Sequence, residues 1–261
     1  MPRQRPSGSA FVAARHRLWL ALADRRCFAW LLPRLSRGDV QHVSRNTDLV
    51  VEGFPRSGNT FLYSLIVAAT RSDARIAHHT HGVAAFRLAS RWKIPCVIVV
   101  REPAPAVASL CRRHPGLAPE TGWRRYVVYH ESLLEMAEEL VIVDFRNLVS
   151  DPVRVLSALD ECFGGALLHD WDEQEIIGEA RRHAWQMHEQ DGGRTVDRRH
   201  GAGLRVDGSA AGVPANAPGD AHLDEGIAVP ERIRRRAETA WRKLVDRVPA
   251  PGEPSGAGAR M

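Results

Sequence analysis

The sequence predicts an α/β fold with a mainly parallel central sheet, and three observations predict it. Short β-branched apolar runs recur at 48–54, 94–100 and 139–145. Stretches with helical periodicity separate them. The first run also passes through a Gly-containing turn straight into a helical pattern, the strand-to-helix connection that parallel sheets need.

Taken in order, residues 1–9 are polar. From Phe11 to Leu32 apolar residues recur at helical spacing, as one amphipathic helix or two short ones ending at Pro33, so 1–46 reads as an N-terminal helical segment. Its LWLALA stretch is too short for a secretory signal. DLVVEGF (48–54) reads as a buried strand, PRSGNT as a loop and FLYSLIVAAT (61–70) as a helix. Residues 75–79 form a short second strand and 81–91 a loop and helix. IPCVIVV (94–100) has the continuous apolar run of a strand covered on both faces. Helices are predicted over 104–113 and 121–139, and a strand over 139–145. Asp151-Pro152 opens a helix through Phe163, and 172–190 is helical. Residues 191–229 read as a long Gly-rich loop, 231–248 as an amphipathic helix and 250–261 as a disordered tail, which bounds the main domain at 47–249.

At 261 residues the chain is one domain with a small appendage. With 44% hydrophobic and 26% charged residues it is neither a disordered chain nor a disulfide miniprotein. No apolar run reaches the roughly 18 residues of a transmembrane helix. Cys27, Cys96, Cys111 and Cys162 are scattered, as buried small hydrophobes of a reducing compartment are, and the expected location is cytoplasmic. All but two of the 36 basic residues are arginine, and the net charge is +5. That balance fits an anionic ligand better than nucleic acid, which needs a concentrated basic face.

Gly53-Phe54-Pro55-Arg56-Ser57-Gly58-Asn59-Thr60 has the G-x-x-x-x-G-x-T spacing of a phosphate-binding loop between strand and helix. A nucleoside-triphosphate loop carries Lys before the Thr, to reach the β- and γ-phosphates. Here that position is Asn59, and the cation stands three positions earlier at Arg56. The 94–100 strand runs into Arg101 where a magnesium-binding acid would stand; Asp144 does end a strand, as a magnesium ligand or as a hydrogen-bonded strand end. Arg101-Glu102-Pro103, with Ser109 eight residues after the arginine, places a planar cation at a strand's carboxyl end and a hydroxyl on the next helix.

Pro55-Arg56-Ser57-Gly58-Asn59-Thr60-Phe61 resembles the 5′-phosphosulfate loop of the sulfotransferases that use 3′-phosphoadenylyl sulfate (PAPS), whose pattern is Pro-Lys/Arg-Ser-Gly-Thr-Thr-Trp. Arg101 with Ser109 resembles that family's 3′-phosphate site, and VDFRNLVSDP (143–152) its later strand-and-turn segment. The resemblance covers about residues 48–165. It implies a P-loop NTPase-like central parallel sheet flanked by helices, PAPS as co-substrate without a metal, and transfer of a sulfuryl group to an acceptor hydroxyl or amine.

It also implies roles. Arg56, Ser57, Gly58, Asn59, Thr60 and Phe61 would hold the phosphosulfate, with Arg56 stabilising charge on the leaving oxygen. Arg101 and Ser109 would hold the 3′-phosphate. Thr80-His81 matches the family's Thr-His pair, which makes His81 the general base and puts His79 in place of the family's lysine. Glu131 and Glu135 are the alternative bases. Arg199-His200-Gly201-Ala202-Gly203 resembles, with one residue fewer, the family's late Arg-Lys-Gly-x-x-Gly element, which would bring Arg199 to the 3′-phosphate. The acceptor would be a small molecule or carbohydrate, with Trp92, Trp123 and Tyr126 either lining its wall or sitting in the core. Two other readings stand beside this one: a P-loop kinase or NTPase, and a non-catalytic binding protein on the same fold.

Overall fold

The computed structural model describes residues 41–70, 74–165, 172–190 and 229–248. The helix predicted over 11–32, Arg199 to Gly203 and the tail lie outside the described residues. Four strands form a parallel sheet: β1 (Leu49–Gly53), β2 (Ile76–His78), β3 (Cys96–Val100) and β4 (Val141–Asp144), in the order β2-β1-β3-β4. The helices are α1 (Asn59–Ala69), α2 (Val83–Arg91), α3 (Pro103–Arg113), α4 (Pro119–Leu134), α5 (Phe145–Ser150), α6 (Pro152–Cys162), α7 (Glu173–Gln190) and α8 (Glu231–Val245). The α/β class and the parallel sheet are as the sequence predicts.

Successive strand residues point to opposite faces, and both faces are covered. Leu49, Val51, Val97, Val99, Val141 and Val143 face a layer built from Leu62, Leu65 and Ile66 of α1, Leu156 and Leu159 of α6, and Ile176 of α7. Val50, Ile98, Val100 and Ile142 face Phe86 of α2, Leu110 of α3, Tyr126, Tyr129 and Leu133 of α4, and Ile233 and Leu244 of α8. Each of the larger buried side chains contributes about 1.5–3 kcal/mol through removal from water. Trp123 and Tyr126 belong to this second core and Trp92 packs against it, so these aromatics serve the fold. The three described cysteines, Cys96, Cys111 and Cys162, are free.

Two predicted elements differ. The helix predicted over 121–139 ends at Leu134, and Ala137–Glu139 form a separate 3-10 turn. Met136 leaves helical geometry (φ −127°, ψ 15°), which turns the chain down into the core and on to β4. The stretch after β4, predicted as strand and turn, is the short helix α5, because the Asp144 carboxylate accepts the Arg146 N–H and caps it. At the other end, Gln41 makes an antiparallel bridge to His78, so residues just before 47 lie along the sheet edge.

The strand order sets which loops meet at the carboxyl end of the sheet. The chain leaves β1 for β2 on one side, then returns to β3 on the other. The loops after β1 and β3 therefore diverge, which opens a crevice at the carboxyl ends of these two strands. The first loop carries Arg56 to Gly58 and the second begins at Arg101.

Candidate anion-binding and transfer site

The loop after β1 is held by its own backbone and by Asn59. Ser57 N–H donates to the Phe54 carbonyl (3.1 Å), and Asn59 Nδ2 donates to the carbonyls of Gly53 (3.0 Å) and Phe54 (3.3 Å). Asn59 thus staples the loop from beneath. Gly58 caps α1 with φ 93°, and a Cβ there would stand 2.9 Å from Phe145. Only glycine meets both demands. The first N–H groups of α1 have no intrahelical acceptor, and its first turn holds no acid, so the helix offers its positive pole to an anion.

Arg56 adopts a left-handed conformation (φ 73°), a strained state for a residue with a Cβ. Its Nε donates to Ser109 Oγ of α3 (3.1 Å), and its carbonyl accepts from Arg101 Nη1 (2.9 Å). The two anion sites expected from the sequence are thereby one connected group. Ser109 Oγ accepts from Arg56 and keeps its own O–H to donate. Arg101 is held at both ends: its guanidinium lies over the Phe145 ring (4.3 Å), and its carbonyl accepts from the Tyr126 hydroxyl (2.5 Å). Desolvation, with Arg113 and Arg112 nearby, holds the Arg56 guanidinium below its usual range. A like-charged cluster of this kind favours a polyanion.

In the loop itself the buried Ser57 Oγ has no hydrogen-bond partner among the described residues. Buried polar groups are nearly always satisfied, and a ligand oxygen on the loop would complete this one. Thr60 Oγ1 is already in a hydrogen bond with His79 Nε2 (3.0 Å), and Phe61 packs into the α1-side core.

The turn after β2 lies against this loop. His81 Nδ1 stands 3.1 Å from the Gly53 carbonyl and 3.3 Å from Asn59 Nδ2. Asn59 directs its two N–H groups at the Gly53 and Phe54 carbonyls, so Nδ1 carries the proton toward Gly53 and Nε2 is the basic nitrogen. Its side chain is 27% exposed. Burial lowers the imidazole to about 3, helped by the charges of His79, Arg125 and Arg56. His79 shares an Nδ1–Nδ1 hydrogen bond with His78 (2.5 Å), and His78 stacks on Tyr63 (ring centroids 3.8 Å apart). Arg56, His79 and His81 are three of the four described non-glycine residues with positive φ. Strained backbone concentrates at this site.

The alternative acids sit elsewhere. Glu131 is held in two hydrogen bonds by Arg236 and Glu135 pairs with Arg87, both at the surface. Asp144 is committed to Arg146, accepting its backbone N–H and its guanidinium. The carboxylate nearest His81 is one that pattern reasoning passed over. Glu52 of β1 is fully buried and accepts the N–H groups of Thr80 (2.5 Å) and His81 (3.0 Å). Its signal was a single charge in the apolar run LVVEG, one residue before the Gly-containing loop.

Among the described residues no group of three or more potential ligands is placed to hold a metal ion, and no helix is long and apolar enough to cross a membrane. No protein-family model matches the chain. Comparison with the curated proteins finds no match. Among solved structures, the chain is similar to mouse sulfotransferase SULT7A1 complexed with PAP, at 15% identity and a TM-score of 0.43, over 79% of this chain and 89% of that one.

Proposed function

We propose that this protein transfers a sulfuryl group from PAPS to an acceptor hydroxyl or amine. The observation that carries the reading is the Arg56–Ser109 hydrogen bond, with Arg101 on the Arg56 carbonyl. It joins a phosphate loop that lacks the triphosphate lysine to a second cationic site, as a nucleotide phosphorylated at both 3′ and 5′ positions needs. The unpartnered Ser57 hydroxyl beneath supports the same reading. Bound there, PAPS supplies the sulfuryl group and leaves as adenosine 3′,5′-bisphosphate.

The residues divide the work. The amides at the start of α1, with the Ser57 hydroxyl, bind the 5′-phosphate. Arg56 meets the charge that grows on the leaving oxygen, which is transition-state stabilisation by a cation already in place. Ser109 O–H and Arg101 hold the 3′-phosphate and fix the register of the donor. His81 Nε2 takes the proton of the attacking acceptor. Its low proton affinity in the free protein arises from burial and from neighbouring cations. A bound polyanion offsets the cations and makes the imidazole a stronger base. A small molecule or carbohydrate is the proposed acceptor.

The test is transfer of labelled sulfate from PAPS to a panel of phenol, sugar and amine acceptors, with ATP and magnesium run in parallel. Label in an acceptor supports the proposal. ATP turnover without sulfate transfer would replace it by a kinase or NTPase.

A further inference from the structure

We infer that Glu52 is a positioning residue for His81, holding the turn that presents this imidazole to the phosphate loop. Its carboxylate accepts both adjacent N–H groups of that turn, from Thr80 and from His81. The turn needs such a hold, because His79 (φ 61°) and His81 (φ 50°) both adopt left-handed conformations that L-residues seldom occupy. The next residue of the strand completes it: the Gly53 carbonyl takes the His81 Nδ1–H. β1 therefore grips His81 twice, at the backbone through Glu52 and at the ring through Gly53. The ring grip fixes the tautomer with Nε2 unprotonated.

Glu52 does not act as a direct partner of the ring. Its Oε2 lies 3.8 Å from Nδ1, beyond hydrogen-bond reach. Around it stand Tyr129 of α4 and Cys96 of β3, both fully or nearly fully buried. Around His81 stand His79, Arg125 and Arg56. Burial lifts the Glu52 carboxyl to about 7, against the pull of the amides that donate to it. A glutamine matches the size of the neutral carboxyl and is compatible with the fold, but its NH2 cannot accept the N–H it faces, whereas both carboxyl oxygens keep acceptor lone pairs.

The inference rests on the sulfuryl-transfer reading for what His81 does, but not for where His81 is held. The experiment separates the two. Protein labelled in its histidine rings is titrated by NMR, with the His81 signals assigned by their loss in His81→Ala. In the wild type, His81 stays in its Nδ1–H tautomer and neutral to below pH 5. In Glu52→Gln the loosened turn draws the ring out of its buried seat against Gly53, so its titration moves up toward ~6.5 and the second tautomer becomes detectable; loss of the carboxylate's charge alone would move it down. Affinity for adenosine 3′,5′-bisphosphate changes by less than about threefold, since the loop itself is untouched. Hydrolysis of PAPS to sulfate and adenosine 3′,5′-bisphosphate, with water as the acceptor whose proton His81 takes, falls about 10- to 100-fold, and Glu52→Gln with His81→Ala is no slower than His81→Ala alone, the mark of residues acting through one another. Should Glu52→Gln not fold, Glu52→Asp, which keeps the charge and withdraws it by one methylene, is expected to release His81 in the same way. Unchanged His81 tautomer and titration would overturn the inference. Absence of bisphosphate binding by the wild type would instead remove the transfer reading and leave the positioning result standing.

Discussion

Arg56 and Ser109 are 53 positions apart in the chain and share a hydrogen bond, Arg56 Nε to Ser109 Oγ at 3.1 Å. The sheet order β2-β1-β3-β4 makes this contact, because β1 and β3 are neighbours whose following segments both reach the crevice. A serine on α3 thus orients a cation on the loop after β1.

Ser109→Ala is expected to weaken binding of adenosine 3′,5′-bisphosphate by roughly 1.5–3 kcal/mol, since it removes both the partner of Arg56 and a donor to the ligand. Arg101→Lys should cost nearly as much as Arg101→Ala, because a lysine cannot hold the Arg56 carbonyl with one nitrogen and present a planar fork with the others. Isothermal titration calorimetry checks both. Full recovery by lysine would reduce Arg101 to a simple point charge.

Arg56→Ala should behave differently from either. Turnover is expected to fall further than bisphosphate affinity, because the work proposed for Arg56 is on charge present only in the transition state. Single-turnover transfer measured beside product affinity decides it, and equal losses would make Arg56 a phosphate clamp alone.

His81→Ala is expected to lower transfer by about 10²–10⁴-fold while bisphosphate affinity stays near the wild-type value. In the intact protein the His81 imidazole, near 3 when free, should rise on bisphosphate binding, because the ligand's negative charge opposes Arg56 and Arg125. NMR titration with and without the ligand measures the rise. A fall or no change would mean that the anion binds away from His81.

The fold itself should weaken in mild acid. Burial holds His78 and His81 to about 3 and His130 to about 4, so all three are neutral in the native state where the unfolded chain, with values near 6.5, binds protons. Their contribution is complete above pH ~6.5 and is lost as the pH falls. Glu52, raised to about 7, works the other way: its protonated form favours the fold, an effect lost as the pH rises through 7. Near pH 5.5 the three histidines outweigh the one carboxyl by about two protons, a slope of roughly 2.5 kcal/mol per pH unit. Urea unfolding at pH 7.5, 6.5 and 5.5 checks the sign, and stability that rises on acidification would contradict it.

Much of this arrangement was legible in the sequence. Three of the four strands are where β-branched runs were found, because strands buried on both faces leave an apolar record at 49–53, 96–100 and 141–144, while β2 is the short strand expected within 75–79. The loop spacing singled out Gly58, and Arg101 followed from the end of a strand. Other parts depended on tertiary contacts that spacing does not encode. By sequence Asp144 reads as a magnesium ligand or a hydrogen-bonded strand end, and its bonds to the N–H and guanidinium of Arg146, two residues on, make it the cap of α5. Glu131 lies on α4 and Glu135 just past its end, and only packing shows that their partners are Arg236 of α8 and Arg87 of α2. Glu52 was missed because a lone charge inside an apolar strand has meaning only once the Thr80 and His81 amides are seen against it.

The central claim is that the Arg56–Ser109–Arg101 group binds a nucleotide carrying phosphate at both its 3′ and 5′ positions, and a thermal-shift comparison tests it most directly. Adenosine 3′,5′-bisphosphate without magnesium should stabilise the protein by about 2.7 kcal/mol at a hundredfold excess over its dissociation constant, a rise of several degrees in Tm. Ser109→Ala and Arg101→Ala should diminish that rise. A shift produced by ATP with magnesium and not by the bisphosphate would contradict the account.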